Sequence, residues 1–268
     1  MLNTEQVRSL AVKYGADLCG VAATGGFSKL QQEANPLLIK PDAKSVIVLG
    51  FRITRGGLRG VEEGTAWNTM SLGCPSHQLI ETTYLLCCAI ESAGYEAIPI
   101  YNHPRELRNQ GVSVAAGKPE SDVILSFDHA ASLAGLGRMG KGKFFLTPEF
   151  GPRQIFTAII TDAELEPGKA VTEDLCAGCN ACAAACPSFA LDTKNTSSAE
   201  ISKDIKADWF TLHTENCRVC RTGAIPNNYC ADAEPLRVGA ACGRACVASL
   251  EKRKILKNKF VNNFRNIA

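Results

Sequence analysis

The chain has 268 residues, 46% of them apolar, enough for one large core or two modest ones. Its 29 basic and 27 acidic side chains leave a formal net charge of +2, which argues against nucleic acid or a membrane surface as partner. No apolar run approaches the roughly 18 residues that a bilayer span needs.

The opening MLNTEQVRSL has neither a basic-then-apolar leader nor a twin arginine, so a cytoplasmic location is expected. Glu5 to Tyr14 places Val7, Leu10, Ala11 and Tyr14 at helical spacing, and Gly15 can end that helix. Leu18 to Ala22 and Ser45 to Phe51 are short apolar runs of the buried-strand kind. Gln78 to Ser92 reads as a second helix, with Leu79, Ile80, Tyr84, Cys87, Cys88 and Ile90 as its expected buried positions and Gly94 as its stop. Ala97 to Ile100, Phe144 to Leu146 and Gln154 to Thr161 read as strands, the last two joined across the turn TPEFGPR. Strands separated by helices indicate an α/β or α+β layer architecture. From Glu164 to Val171 the pattern breaks into a polar connector, which places a boundary near residue 170. The expected domains are therefore 1–170, an α/β core, and 171–268, a cysteine-rich domain in which no strand pattern is visible. That second domain ends in an expected basic amphipathic helix, Glu251 to Arg265, with Leu256, Phe260 and Phe264 recurring every four residues.

Of 13 cysteines, nine fall between Cys176 and Cys246. A disulfide scaffold would be short and secreted, so thiolates held for metal in a reducing compartment are the better reading. Cys176, Cys179, Cys182 and Cys186, followed by Pro187, form a complete C-x2-C-x2-C-x3-C-P run. Three thiolates two residues apart on a tight loop can reach three irons of one cubane, and the fourth faces away to a second cluster. Zinc prefers two separated C-x2-C pairs closing one tetrahedron, so this spacing fits [4Fe–4S] better.

The remaining cysteines are less regular. Cys217 and Cys220 form one C-x2-C pair, Cys230 stands alone, and Cys242 and Cys246 are four apart. Two cubanes need eight thiolates. Ferredoxin-like cross-ligation groups Cys176, Cys179, Cys182 and Cys246 on one cluster, and Cys186, Cys217, Cys220 and Cys242 on the other. Cys230 is left over, or replaces Cys220 or Cys246. Cys19, Cys87 and Cys88 read as buried structural thiols, and nothing nearby activates Cys74.

Gly135, Gly137 and Gly140 satisfy G-x-G-x-x-G, yet a helix-like stretch precedes them and a strand follows. A dinucleotide fingerprint needs the reverse order. Glycines here are expected instead to let the backbone approach a large planar ligand. Arg138, Lys141 and Lys143 form a positive cluster beside them, near Glu149 and Arg153, and read either as a solvated basic turn or as an anion or cofactor contact.

The segment AGLGRMGKGKFFLTPEFGPRQIFTAIITDAELEP, residues 134–167, resembles the central signature of reductive dehalogenases and epoxyqueuosine reductases. LAVKYGADLCGVA, PDAKSVIVLGFRI and AGYEAIPI extend the resemblance over most of the chain. It implies a nitroreductase-like α/β core that binds a base-off cobalamin, followed by a ferredoxin-like domain with two [4Fe–4S] clusters that feed cobalt with single electrons. It implies cofactor contacts at Gly135, Gly137, Gly140, Lys143, Pro148 and Gly151. Arg138 and Lys141 would steady a leaving anion. Tyr101 or Asp122 would be the general acid, although an ungapped match puts Ser121 at the epoxyqueuosine aspartate's place. The expected partners are a ferredoxin- or flavodoxin-type electron donor and a small organic substrate, halogenated compounds among the candidates. Two alternatives stay open: an electron carrier or corrinoid-reactivating protein without substrate chemistry, and a compact epoxyqueuosine-type enzyme acting on transfer RNA. The chain shows neither the helical-repeat extension of the epoxyqueuosine enzymes nor the export leader of respiratory dehalogenases.

Overall fold

The computed structural model describes residues 2–28, 30, 34–64, 76–101, 116, 125–202, 205–225 and 235–265. Its contacts group into two compact units. The first comprises 1–51, 76–136 and 156–171; the second comprises 52–75, 137–155 and 172–268. Two segments that precede residue 170, 52–75 and 137–155, thus fall in the second unit.

In the first unit, α1 (Thr4–Tyr14) starts on a reciprocal cap between Asn3 and Gln6 and stops at Gly15, whose φ of 113° is in the left-handed region. A four-stranded sheet follows the order β1-β2-β6-β3, formed by β1 (Leu18–Ala23), β2 (Ser45–Arg52), β3 (Ala97–Ile100) and β6 (Gln154–Thr161). The β1–β2 and β3–β6 pairs are antiparallel, with registers running from Leu18↔Gly50 to Ala23↔Ser45 and from Ala97↔Thr161 to Ile100↔Ala158. β2 is buried from Ser45 to Phe51, as its unbroken apolar run requires. Full burial of its Val, Ile, Leu and Phe side chains contributes about 1.5–3 kcal/mol each relative to exposure.

The face of α3 (Ser76–Ser92) differs from expectation. Ile80 and Tyr84 are exposed, while Thr82, Thr83, Leu86, Cys87 and Ile90 are buried. Polar satisfaction explains the rotation. Thr82 donates to the Tyr14 carbonyl at 2.7 Å, and the Thr83 and Thr157 hydroxyls lie 2.7 Å apart. A count of apolar residues alone puts such threonines outside. The unit is completed by α4 (Phe127–Leu133), capped by Ser126.

In the second unit, β4 (Arg138–Met139) and β5 (Phe145–Leu146) form a two-residue ladder around a turn that contains Gly140 and Gly142. The TPEFGPR segment folds back on itself: Thr147 bridges Gly151, which has a φ of 62°, and the Thr147 hydroxyl donates to Gln154 at 3.0 Å. The helices are α2 (Arg55–Glu63), α5 (Ala181–Ala184), α6 (Thr214–Arg218) and α7 (Ala241–Lys252). Two sequence expectations fail here. The segment after residue 170 does contain strands, a hairpin of β7 (Leu191–Ser202) and β8 (Ile205–Leu212) with two register shifts. Polar residues such as Thr193, Lys194, Asn195 and Thr196 hide the alternation in β7. The basic C-terminal helix is likewise replaced. α7 ends at Lys252, Lys254 takes a φ of 56°, and Lys257 and Asn258 donate instead to the carbonyls of Pro148 and Glu149. Leu256 and Phe264 are buried while Phe260 is 40% exposed, so their four-residue recurrence comes from a non-helical chain laid on the TPEFGPR turn.

Arg153 sits where that tail crosses. It is 1% exposed, donates to the Ile53 carbonyl at 2.8 Å and to the Asn258 side chain at 3.0 Å, and burial lowers its pKa to about 10. Glu149 pairs with Lys257 at 2.7 Å. Both charges are consumed by the fold. Among the described residues no helix is long and apolar enough to cross a membrane.

Candidate metal centres

The cysteine loop is organised by short-range chemistry. The Asp174 carboxylate accepts from the Cys176 N–H at 2.8 Å, the Cys179 N–H closes a turn on the Cys176 carbonyl, and Gly178 supplies a φ of 66°. The short helix α5 then presents Cys182, and the chain turns at Cys186. α7 carries Cys242 and Cys246 four residues apart, hence on one helix face.

Cys176, Cys179, Cys182 and Cys246 line a single pocket, walled also by Gly140, Gly142 and apolar side chains. The two glycines are required there. A Cβ on Gly140 would lie 2.9 Å from the Cys176 sulfur, and one on Gly142 would lie 2.7 Å from the Cys182 sulfur. Burial pushes the Cys182 thiol up to about 12 and the Cys246 thiol well above the ordinary value, with the neighbouring cysteines adding to both. Cys179 goes the other way: burial is outweighed by the Ser249 hydroxyl, 3.2 Å from its sulfur, and by the Arg253 charge. The Lys141 N–H points at the Cys176 sulfur at 3.4 Å.

Cys186 and Cys217 pack together around Ala190, and Cys217 senses the charges of Cys242, Cys220 and Cys186. Burial raises Cys217 to about 11. The Ala190 N–H lies 3.3 Å from the Cys186 sulfur, and the Thr222 hydroxyl 3.0 Å from that of Cys220. Among the described residues no group of three or more His, Cys, Asp or Glu converges on a single-ion point. Sulfurs spread around a cavity suit a multi-iron core that takes one sulfur per iron; a tetrahedral zinc needs all four on one atom. The four cysteines that line this pocket therefore fit a cubane in donor type and number.

The other sequence-derived site residues fare differently. Arg138 donates to the Thr172 carbonyl at 3.3 Å, and the Lys141 carbonyl accepts from Phe210 N–H. The Lys143 ammonium stands 5.8 Å over the Trp209 ring. Gly135 and Gly137 permit close approach of the Lys169 and Leu146 carbonyls, and Gly151 that of Leu250. Pro148 is buried beneath the C-terminal tail, its carbonyl accepting from Lys257. What these glycines approach in the structure is protein backbone, leucine and cysteine sulfur. Tyr101 is half-buried in the first unit, and burial with the Cys87 charge raises its phenol. Asp122, Ser121, Cys74 and Cys230 lie outside the described residues. Sequence reasoning passed over Ser249, whose hydroxyl lies 3.2 Å from the Cys179 sulfur, and Arg237, which donates to the Gly142 carbonyl. Ser249 alone had a signal, sitting three residues past Cys246 on the same helix.

No family model matches the sequence. The tetrachloroethene reductive dehalogenase of Sulfurospirillum multivorans is 30% identical over 158 residues, 58% of this chain and 27% of that protein. An epoxyqueuosine reductase of Bacillus cereus is 25% identical over 219 residues, 71% of this chain and 53% of its own length. These are the two groups the sequence resembles. A reductive dehalogenase structure described as suggesting a mechanism for B12-dependent dehalogenation covers 90% of this chain with a TM-score of 0.60 at 19% identity, and this chain covers 30% of it. That likeness concerns the fold, a mixed α/β architecture. The chain thus spans about a quarter to a half of the length of these curated relatives.

Proposed function

We propose that this protein is an iron–sulfur oxidoreductase that holds two [4Fe–4S] clusters, on Cys176, Cys179, Cys182 and Cys246 and on Cys186, Cys217, Cys220 and Cys242. The observation that carries this reading is the cavity on which three cysteines of the C-x2-C-x2-C run and the distant Cys246 converge, with Cys186 turned to the other group. When bound, such clusters supply one-electron transfer at low potential. The chain's own contribution is to bury the sulfurs, hold water off them with apolar walls, and direct N–H and O–H groups at them. Hydrogen bonds to sulfur stabilise added negative charge, so the Lys141 and Ala190 amides and the Ser249 and Thr222 hydroxyls favour the reduced form. A nitroreductase-like first domain and a ferredoxin-like second domain are the finer description that accompanies this reading.

The electron acceptor proposed is a base-off corrinoid acting on a small halogenated organic substrate, by analogy with the dehalogenases. The residues the resemblance gave to the corrinoid approach protein atoms, so no step is assigned through cobalt. That observation favours a second reading, an electron-transfer protein serving a separate acceptor. Anaerobic reconstitution with iron, sulfide and hydroxocobalamin, followed by metal analysis, separates the two. Retained stoichiometric cobalt supports the corrinoid reductase; clusters without cobalt support the carrier.

A further inference from the structure

Every carbonyl of the turn from Gly140 to Phe144 is occupied by a donor of the protein. The Gly140 carbonyl accepts from the Lys143 N–H at 2.9 Å, that of Lys141 from the Phe210 N–H on β8 at 2.8 Å, and that of Phe144 from the Gly140 N–H at 2.8 Å. Arg237, 5% exposed, takes the other two. Its guanidinium donates to the Gly142 carbonyl at 3.1 Å from each terminal nitrogen and to the Lys143 carbonyl at 2.9 Å, and lies 4.5 Å from the centre of the Phe144 ring. Lys143 has a φ of 55°, a conformation that persists in such a residue only where the surroundings impose it. Two amides of the same turn are directed differently. The Lys141 N–H points at the Cys176 sulfur at 3.4 Å. The Gly142 N–H has no acceptor among the described residues, although Gly142 is buried, and a buried donor left unpaired is costly. Its peptide is trans, so this N–H lies opposite the Lys141 carbonyl that Phe210 holds. Gly142 itself walls the first cysteine pocket, where a Cβ would stand 2.7 Å from the Cys182 sulfur.

We propose that Arg237 is a positioning residue for the first site: it holds the Gly142 and Lys143 carbonyls so that the Gly142 N–H, beside that of Lys141, donates to the cluster on Cys176, Cys179, Cys182 and Cys246. This rests on the two-cluster reading. Reduction adds one negative charge to a cluster, and a preorganised N–H dipole stabilises that charge where a carbonyl oxygen in its place would repel it. A glycine has no Cβ to resist rotation of its flanking peptides. The fork on the Gly142 and Lys143 carbonyls therefore decides which end of the peptide dipole meets the sulfurs. Geometry is the active property here, since a lysine ammonium carries the same charge without a planar fork.

The test is a reductive titration of the reconstituted full-length protein followed by electron paramagnetic resonance, with iron measured on every sample. A Cys220→Ser background alters the second cluster's signal, so the unaltered signal belongs to the first. In that background Arg237→Gln should lower the first cluster's reduction equilibrium about tenfold, about 59 mV for one electron, with iron unchanged and no comparable shift at the second. Arg237→Lys should lower it as far. A first-cluster potential that stays put in Arg237→Gln, or is fully restored by Arg237→Lys, overturns the positioning role; the second result would make the effect one of charge alone. A further measurement holds even if neither variant folds. Protein carrying [15N]glycine should show a nitrogen coupling to the reduced first cluster in pulsed resonance. The coupling should survive Gly178→Asn, which removes the glycine of the cysteine loop at a left-handed position with open space around it. No coupling in wild type, or one lost in Gly178→Asn, overturns the proposal. About four irons per wild-type chain would instead sink the two-cluster reading beneath it.

Discussion

The two units of this chain keep their interiors by different means. The first is an ordinary core: a strand buried from Ser45 to Phe51, a capped helix, and a few satisfied hydroxyls such as Thr83 against Thr157. The interior of the second is assembled around cysteines. Cys182, Cys242 and Cys246 belong to its main apolar cluster, whose walls are held by buried arginines. Four mutually repelling thiolates in an apolar pocket are costly without a cation to share, and the raised thiols of Cys182 and Cys246 express that cost. The difference teaches that stability in the second unit should be coupled to metal, whereas in the first it should not.

Four changes can break or sharpen that contrast. The largest effect is expected from Cys246→Ser: iron falls from about eight to about four per chain and the apparent melting temperature falls with it. Gly142→Ala comes next. Its methyl would sit 2.7 Å from the Cys182 sulfur, so overpacking costs about 1–3 kcal/mol and iron retention drops. Gly56→Ala, in α2 with open space around it, should stabilise by about 0.5–1 kcal/mol and serves as the control. Thr83→Val in the first unit leaves the Thr157 hydroxyl unpaired and should cost about 1–3 kcal/mol in denaturant titration, with iron content unchanged. If Thr83→Val releases iron, the energetic separation of the two units is refuted.

The smallest effect concerns Glu62. Burial works to raise its pKa, but hydrogen bonds from Arg265 and Arg244 outweigh that and hold it below the ordinary carboxylate value. A folded-state pKa below the unfolded one gives stability that is present above the ordinary carboxylate value and lost as pH falls through the folded value. The stability difference between wild type and Glu62→Gln should therefore be full near neutrality and shrink on acidification. A difference that stays constant to low pH would contradict this pairing.

What could be read from sequence follows from where the information lies. The strands of the first unit are continuous apolar runs, and the C-x2-C-x2-C-x3-C-P spacing is a local signal, so both were legible. The cross-pairing of Cys246 with the first three cysteines was legible only through ferredoxin-like cross-ligation. The buried face of α3 was misread because its decisive contacts are threonine hydroxyls bonded to Tyr14 and Thr157, which carry no apolar periodicity. The C-terminal tail mimicked a helix because Leu256, Phe260 and Phe264 share a spacing, while the left-handed turn at Lys254 depends on neighbours distant in sequence. Arg237 was invisible for the same reason: its partners, Gly142 and Lys143, lie 95 and 94 positions away.

The central claim is that these cysteines hold two cubanes. Iron and acid-labile sulfide per chain, measured after anaerobic reconstitution and removal of unbound metal, test it most directly. About eight of each is the predicted result. About four of each, or a protein that takes up zinc and retains no sulfide, would contradict it.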